Sequence, residues 1–183
     1  TLLEGLEPPQ VAVLGTGLPA IEAAFKTLAR DFPEQVGLEL RFDGKLARQI
    51  YAGADMLLVS SRYEPCGLAQ MIAQRYGAVP IVRRTGGLAD TVIDAAKPRH
   101  GTGFVFADYN SAALLGAVRR ALKLYRRAAS WQAMQRRGMR LAERFSWANS
   151  AELYQALYAK AINYRKETVA QLARAAAELA ARA

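Results

Sequence analysis

Residues 61–70, Ser-Arg-Tyr-Glu-Pro-Cys-Gly-Leu-Ala-Gln, gather a carboxylate, a thiol and a glycine in one short turn. They follow the apolar run Met56-Leu57-Leu58-Val59 and lead into the helix-like segment Met71–Tyr76. Glu64 therefore stands at a strand-to-helix turn, and the backbone N–H groups of Cys66, Gly67 and Leu68 open the helix behind it. Such N–H groups carry partial positive charge and favour phosphate. An acid beside an anion cradle suits chemistry on a phosphorylated substrate. The plainer alternatives are that Glu64 caps its own helix and that Cys66 packs as a small buried side chain. As a nucleophile Cys66 lacks a nearby base, because His100 is the one histidine of the chain and reads as a solvated loop residue.

Two further glycine turns follow strand-like runs. Val11–Leu14 ends in Gly15-Thr16-Gly17, and Val79–Val82 runs through Arg83-Arg84-Thr85 to Gly86-Gly87. Gly15-x-Gly17-x-x-Ala20 meets a loose dinucleotide fingerprint, but the acid that should end the next strand is misplaced. Glu39 lies inside that strand and Asp43 comes late. Pro19 also removes a backbone donor where a pyrophosphate would dock. The loop reads instead as a tight turn beside some other ligand, and Gly86-Gly87 as a turn permitting positive φ.

The elements that must carry these turns alternate. Strands are expected at Val11–Leu14, Val36–Phe42, Met56–Ser60, Val79–Val82 and Gly103–Phe106. Helices are expected from Pro19 to about Phe32, at Leu46–Ala54 and to Tyr76. After residue 106 the pattern is helical, with Ser111, Ser130 and Ser146 as candidate caps of helices running to about Tyr125, to about Arg144 and from Trp147 through Ile162. Residues 163–183 form an Ala-rich amphipathic tail. Strands spaced by helices imply βαβ units and a parallel sheet, with ligands at the carboxyl ends of the strands. All three turns belong to that edge.

With 183 residues, 52% hydrophobic and 22% charged, the chain is long enough for one globular domain with an appendage. No apolar run approaches the roughly 20 residues of a membrane span, and the first residues do not read as a leader. A lone cysteine excludes an internal disulfide and fits a reducing cytoplasm. One cysteine and one histidine cannot assemble the usual structural zinc site. The net charge of +9 is concentrated between Ser111 and Ser150, where nine Lys/Arg face one acid, Glu143. Such a surface attracts polyanions, yet no aromatic residues interleave the arginines as a base-stacking platform requires. A solvated helix surface accounts for it.

Taken together, Tyr51–Asp55, Ser61–Leu68 and Tyr76–Val92, with the Glu-Pro-Cys-Gly-Leu and Arg-Arg-Thr-Gly-Gly-Leu-Ala-Asp-Thr-Val blocks, closely resemble the bacterial glycogen synthases. These belong to the starch synthase group of retaining glucosyltransferases. Gly101–Asn110 and Phe145-Ser146-Trp147 extend the resemblance, which covers about residues 1–160. It implies glucose transfer from ADP-glucose to the non-reducing 4-hydroxyl of an α-1,4-glucan such as glycogen, without metal or cofactor. It also implies a glycosyltransferase-B fold, of which this chain resembles the C-terminal half: a Rossmann-like donor domain at 1–145 lacking its first strand, then a C-terminal helix and tail at 146–183. The N-terminal domain with the acceptor site, and a basic loop that neutralises the diphosphate, would lie outside the chain. Thr1-Leu2-Leu3-Glu4 resembles the end of the helix that follows that loop. The isolated chain is accordingly expected to be inactive, with ADP-glucose or ADP, the glucan and the missing domain as its partners.

Carried over by motif, Glu64 would contact the donor glucose near the reacting centre, and Cys66, Gly67 and Leu68 would present N–H groups to sugar and diphosphate. Phe42 would stack on adenine, Gly15 and Gly17 would admit the nucleotide, and Thr85, Gly86 and Gly87 would border the glucose and phosphate pocket. Leu18 departs from the acid usual after the glycine loop, and Ala69 from the hydroxyl residue usual after Gly-Leu. The competing reading is a non-catalytic basic module that binds nucleic acid or another polyanion.

Overall fold

In the computed structural model, residues 8–181 are described. The segment Thr1–Glu4 lies outside them. The order of elements is β1 (Val11–Leu14), α1 (Pro19–Asp31), β2 (Val36–Glu39), α2 (Gly44–Gly53), β3 (Met56–Val59), α3 (Ala69–Tyr76), β4 (Val79–Arg83), α4 (Gly86–Thr91), β5 (Phe104–Phe106), α5 (Ser111–Tyr125), α6 (Ala128–Glu143) and α7 (Trp147–Ala180). The alternation forces parallel pairing, because each strand is followed by a helix that returns the chain to the same end. Every strand pair is indeed parallel.

The strands divide into two sheets, β1-β2 and β3-β4-β5. β2 is shorter than expected because its partner runs out: Leu14 pairs with Glu39 and nothing on β1 reaches further. Beyond that point Arg41 turns to Glu39 and Asp43, and the Asp43 carboxylate caps α2 by accepting from the N–H groups of Lys45 and Leu46 at 3.0 and 2.9 Å.

The core sits on β4 and β5. Period-two alternation sends Val79 and Ile81 to one face, where they join Phe104, Phe106, Ala117, Ala121, Trp131 and Met134 beneath α5 and α6. Val82 and Val105 point the other way, onto Leu88 and Val92. Trp131 stacks on Phe104 and meets Tyr125 at a right angle in a T-shaped contact. The other end of the sheet system is thinly covered. Strands as apolar as β1 and β3 belong, in parallel sheets, under cover on both faces, yet Leu58 of β3 is 50% exposed and neither α1 nor α2 buries a residue.

Three helix starts differ from expectation. Asn110, not Ser111, caps α5, its side-chain oxygen accepting from the Ala113 N–H at 2.8 Å. Ser130 lies inside α6, which begins at Ala128. The Gly86-Gly87 turn is itself the first turn of α4.

By compactness the described residues divide into two units, the second beginning at Arg140. The second unit is dominated by α7, whose start is fixed by Ser146 accepting from the Asn149 N–H and by the Asn149 amide reaching the carbonyls of Glu143 and Arg144. Its side chains are exposed along most of its length. No helix among the described residues is long and apolar enough to cross a membrane.

Candidate functional site

The turns after β3 and β4 are joined backbone to backbone. The Gly87 N–H donates to the Glu64 carbonyl at 3.0 Å. A Cβ on Gly86 would overlap that same carbonyl oxygen, and a Cβ on Gly87 would overlap the carbonyl of Cys66. Gly86 also takes φ +43°, a left-handed conformation that favours glycine. The two glycines are therefore required by contact: only residues without side chains let α4 start against the Glu64 turn.

Glu64 itself does not cap α3. The Ser61 hydroxyl donates to Glu64 Oε2 at 3.1 Å, which fixes the direction of a half-buried carboxylate. Leu68, at the N-cap of α3, offers no side-chain cap. Cys66 is exposed rather than packed, so its thiol and the carboxylate both reach the surface of one turn. Thr85 occupies the N-cap of α4 without a capping bond from its hydroxyl.

Arg83, at the end of β4, braces the same edge. Its guanidinium donates to the Arg62 carbonyl at 2.6 Å and the Ser61 carbonyl at 3.5 Å, and it lies 5.2 Å from the centre of the Tyr109 ring. The loops after β3 and β5 are thereby tied through one cation.

The remaining expected residues stand on the two-stranded sheet. Gly15, with φ +150°, continues the ladder by donating to the Glu39 carbonyl. Nothing lies within 4 Å of a Cβ placed on Gly15 or on Gly17, so the space above that loop is open. The Gly17 N–H is engaged by the Glu22 carboxylate at 2.9 Å, an acid from within α1 where the loop's own next residue is Leu18. Phe42 is 95% exposed at the carboxyl end of β2. An aromatic ring so fully in water has a face free for stacking.

Sequence reasoning missed a polar pair beneath the junction. Gln70 and Thr91 are buried, and their hydrogen bonds run to Cys66, Gly67 and Gly87. Helical glutamines ordinarily face water. Only the position of Gln70 immediately behind the glycine turn hinted otherwise.

The basic region is partly structural. One guanidinium nitrogen of Arg120 donates to both carboxylate oxygens of Asp94, at 2.6 and 2.8 Å, and Arg137 donates to the Gly101 carbonyl. Burial pushes the Asp94 carboxyl up, but the Arg120 hydrogen bonds, the N–H groups of Ala96 and Val105, and the nearby positive charge together hold it below the ordinary carboxylate value. Among the described residues no three His, Cys, Asp or Glu side chains gather as a metal site.

Residues 16–137 match the family model of the group 1 glycosyl transferases. The chain is 50% identical over 149 residues to a glycogen synthase of Anaeromyxobacter sp. (strain Fw109-5), and 52% identical over 149 residues to one of Anaeromyxobacter dehalogenans (strain 2CP-C). Each alignment covers 81% of this chain and 31% of the relative, so the chain spans about a third of the length of the curated relatives it matches. Among solved structures it is similar to the catalytic domain of starch synthase IV from Arabidopsis thaliana, bound to ADP and acarbose. That similarity has a TM-score of 0.75 and 34% identity, over 85% of this chain and 33% of the other.

Proposed function

The chain belongs to the group 1 glycosyl transferases, and we propose that it is the donor-binding part of a glycogen synthase, acting on ADP-glucose and an α-1,4-glucan with retention. The observation that carries this reading is the junction of the Glu64 turn with Gly86-Gly87, which sets an oriented carboxylate beside two glycine-lined turns at the carboxyl edge of a parallel sheet. The glycogen synthase relatives and the ADP held by the starch synthase neighbour supply the substrate class.

In this reading the Phe42 ring takes the adenine, and the open space over Gly15 and Gly17 admits the nucleotide. The N–H groups of Cys66, Gly67 and Leu68 face the diphosphate and sugar. Glucose leaves ADP, so negative charge grows on the departing diphosphate, and oriented backbone donors stabilise it where it develops. Glu64, steadied through Oε2 by Ser61, offers its other oxygen to the glucose near the reacting carbon. Thr85, Gly86 and Gly87 wall the pocket.

The organisation follows the same proposal. Residues 1–145 form the Rossmann-like donor domain and 146–183 its C-terminal helix and tail. The open edges of β1 and β3 support a further strand seated between them, from outside the described residues. A facing domain brings the glucan, and the protein works in the cytoplasm.

Titration calorimetry of the chain with ADP, ADP-glucose, NADH and random-sequence DNA tests the reading. ADP and ADP-glucose should bind, NADH should not, and full transfer should need the facing domain. Salt-dependent DNA binding with no response to ADP would support a basic polyanion-binding module instead.

A further inference from the structure

Beneath the two site turns lies a buried relay of side chains. The Gln70 amide nitrogen donates to the Gly67 carbonyl at 2.9 Å, to the Thr91 hydroxyl at 3.0 Å and more weakly to the Cys66 carbonyl at 3.4 Å. The Thr91 hydroxyl donates to the Gly87 carbonyl at 2.6 Å. The direction of each bond is dictated by chemistry. A hydroxyl has one proton, and Thr91 spends it on a carbonyl that can only accept, so toward Gln70 it must accept. The Gly67 carbonyl likewise only accepts. Both demands select the nitrogen of Gln70, and its Oε1 is left buried without a partner. A buried acceptor with no donor is a standing cost to stability. What it obtains in return is found in the turn above.

A trans peptide unit points its N–H opposite to its C=O, and no peptide among the described residues is cis. The unit between Cys66 and Gly67 carries the Cys66 carbonyl and the Gly67 N–H. The next carries the Gly67 carbonyl and the Leu68 N–H. Gln70 holds both carbonyls, so both N–H groups turn away from it, in a turn where Cys66 and Leu68 are exposed.

We propose that Gln70 and Thr91 are positioning residues of the donor site. Gln70 aims the N–H groups of Gly67 and Leu68 at the nucleoside diphosphate sugar, and Thr91 holds the Gly87 turn in register with them. The proposal rests on the donor-binding reading for its ligand and on the relay alone for its geometry.

Two measurements on the 183-residue chain separate those supports: ADP titration, and crystal structures of the variants. Gln70→Met keeps length and burial but removes the donor. The Gly67–Leu68 peptide should rotate away from its wild-type orientation, and ADP affinity should fall by about tenfold. Thr91→Val should weaken ADP in the same direction, and Thr91→Ser, which restores the hydroxyl, should return it to within about twofold of wild type. If Gln70→Met keeps the peptide orientation, or if it and Thr91→Val bind ADP as wild type does, the proposal is overturned. Should Gln70→Met fail to fold, the Thr91→Val and Thr91→Ser pair decides. A wild-type chain that ignores ADP sinks the donor reading, while the peptide orientation still judges Gln70.

Discussion

Gly87 donates its N–H to the carbonyl of Glu64 at 3.0 Å, which makes the turns after β3 and β4 a single piece of backbone. The position of the acid is set by a glycine 23 residues away in the chain. Substitutions in one turn should therefore be felt in the other.

Gly87→Ala tests that coupling. The new methyl overlaps the Cys66 carbonyl, and overpacking of this kind costs about 1–3 kcal/mol. Thermal unfolding should shift down and ADP affinity should fall with it. Gly17→Ala is the contrast: nothing stands within 4 Å of its Cβ, so stability should hold while ADP affinity drops. Equal loss of stability in the two variants would contradict the contact map of the glycines.

Phe42→Ala should leave the unfolding midpoint unchanged within about 0.5 kcal/mol, as exposed positions do, because the ring is 95% exposed. Stacking of an aromatic on a base contributes about 1–3 kcal/mol, so ADP binding should weaken by about tenfold or more. Calorimetry that found ADP affinity intact would remove Phe42 from the site.

On the proposed function, Glu64→Ala in the full-length protein should lower turnover by about a hundredfold or more, the scale of a lost electrostatic contact at a reacting centre. Circular dichroism should show the fold retained, since among the described residues the Glu64 side chain is hydrogen-bonded to the nearby Ser61 hydroxyl and to no other element. Near wild-type turnover would show that the carboxylate is not at the reacting carbon.

Asp94 gives the protein an acid limb. Its carboxyl is held below the ordinary value in the folded state, so the unfolded chain takes up that proton first as pH falls. The stabilisation is complete above the unfolded value and is lost as pH drops through the lower, folded one. Asp94→Asn should lower stability at neutral pH by about 1–3 kcal/mol and flatten the acid limb in thermal melts. An unchanged slope would assign acid sensitivity elsewhere.

The sequence disclosed the strands because each is a short apolar run closed by a turn signal, as in Met56–Val59 before Ser60. It disclosed Glu64, Gly86 and Gly87 as neighbours of strand ends. It did not disclose α4, since paired glycines argue against a helix, and here contact with Glu64 and Cys66 outweighs that propensity. Nor did it separate Ser111 from Asn110, two good caps in succession. The choice depends on which side-chain oxygen reaches the Ala113 N–H. Gln70 and Thr91 stayed hidden for a stronger reason. Their bond joins positions 21 residues apart, and their polarity alone reads as surface.

Cys66 is the chain's only cysteine and it is exposed on the Glu64 turn. A thiol-reactive dye would therefore label one position per molecule, without mutagenesis, at the rim of the proposed donor pocket. Protection of that thiol by a nucleotide sugar would report occupancy directly, giving the protein a native reporter on the backbone that Gly87 holds in place.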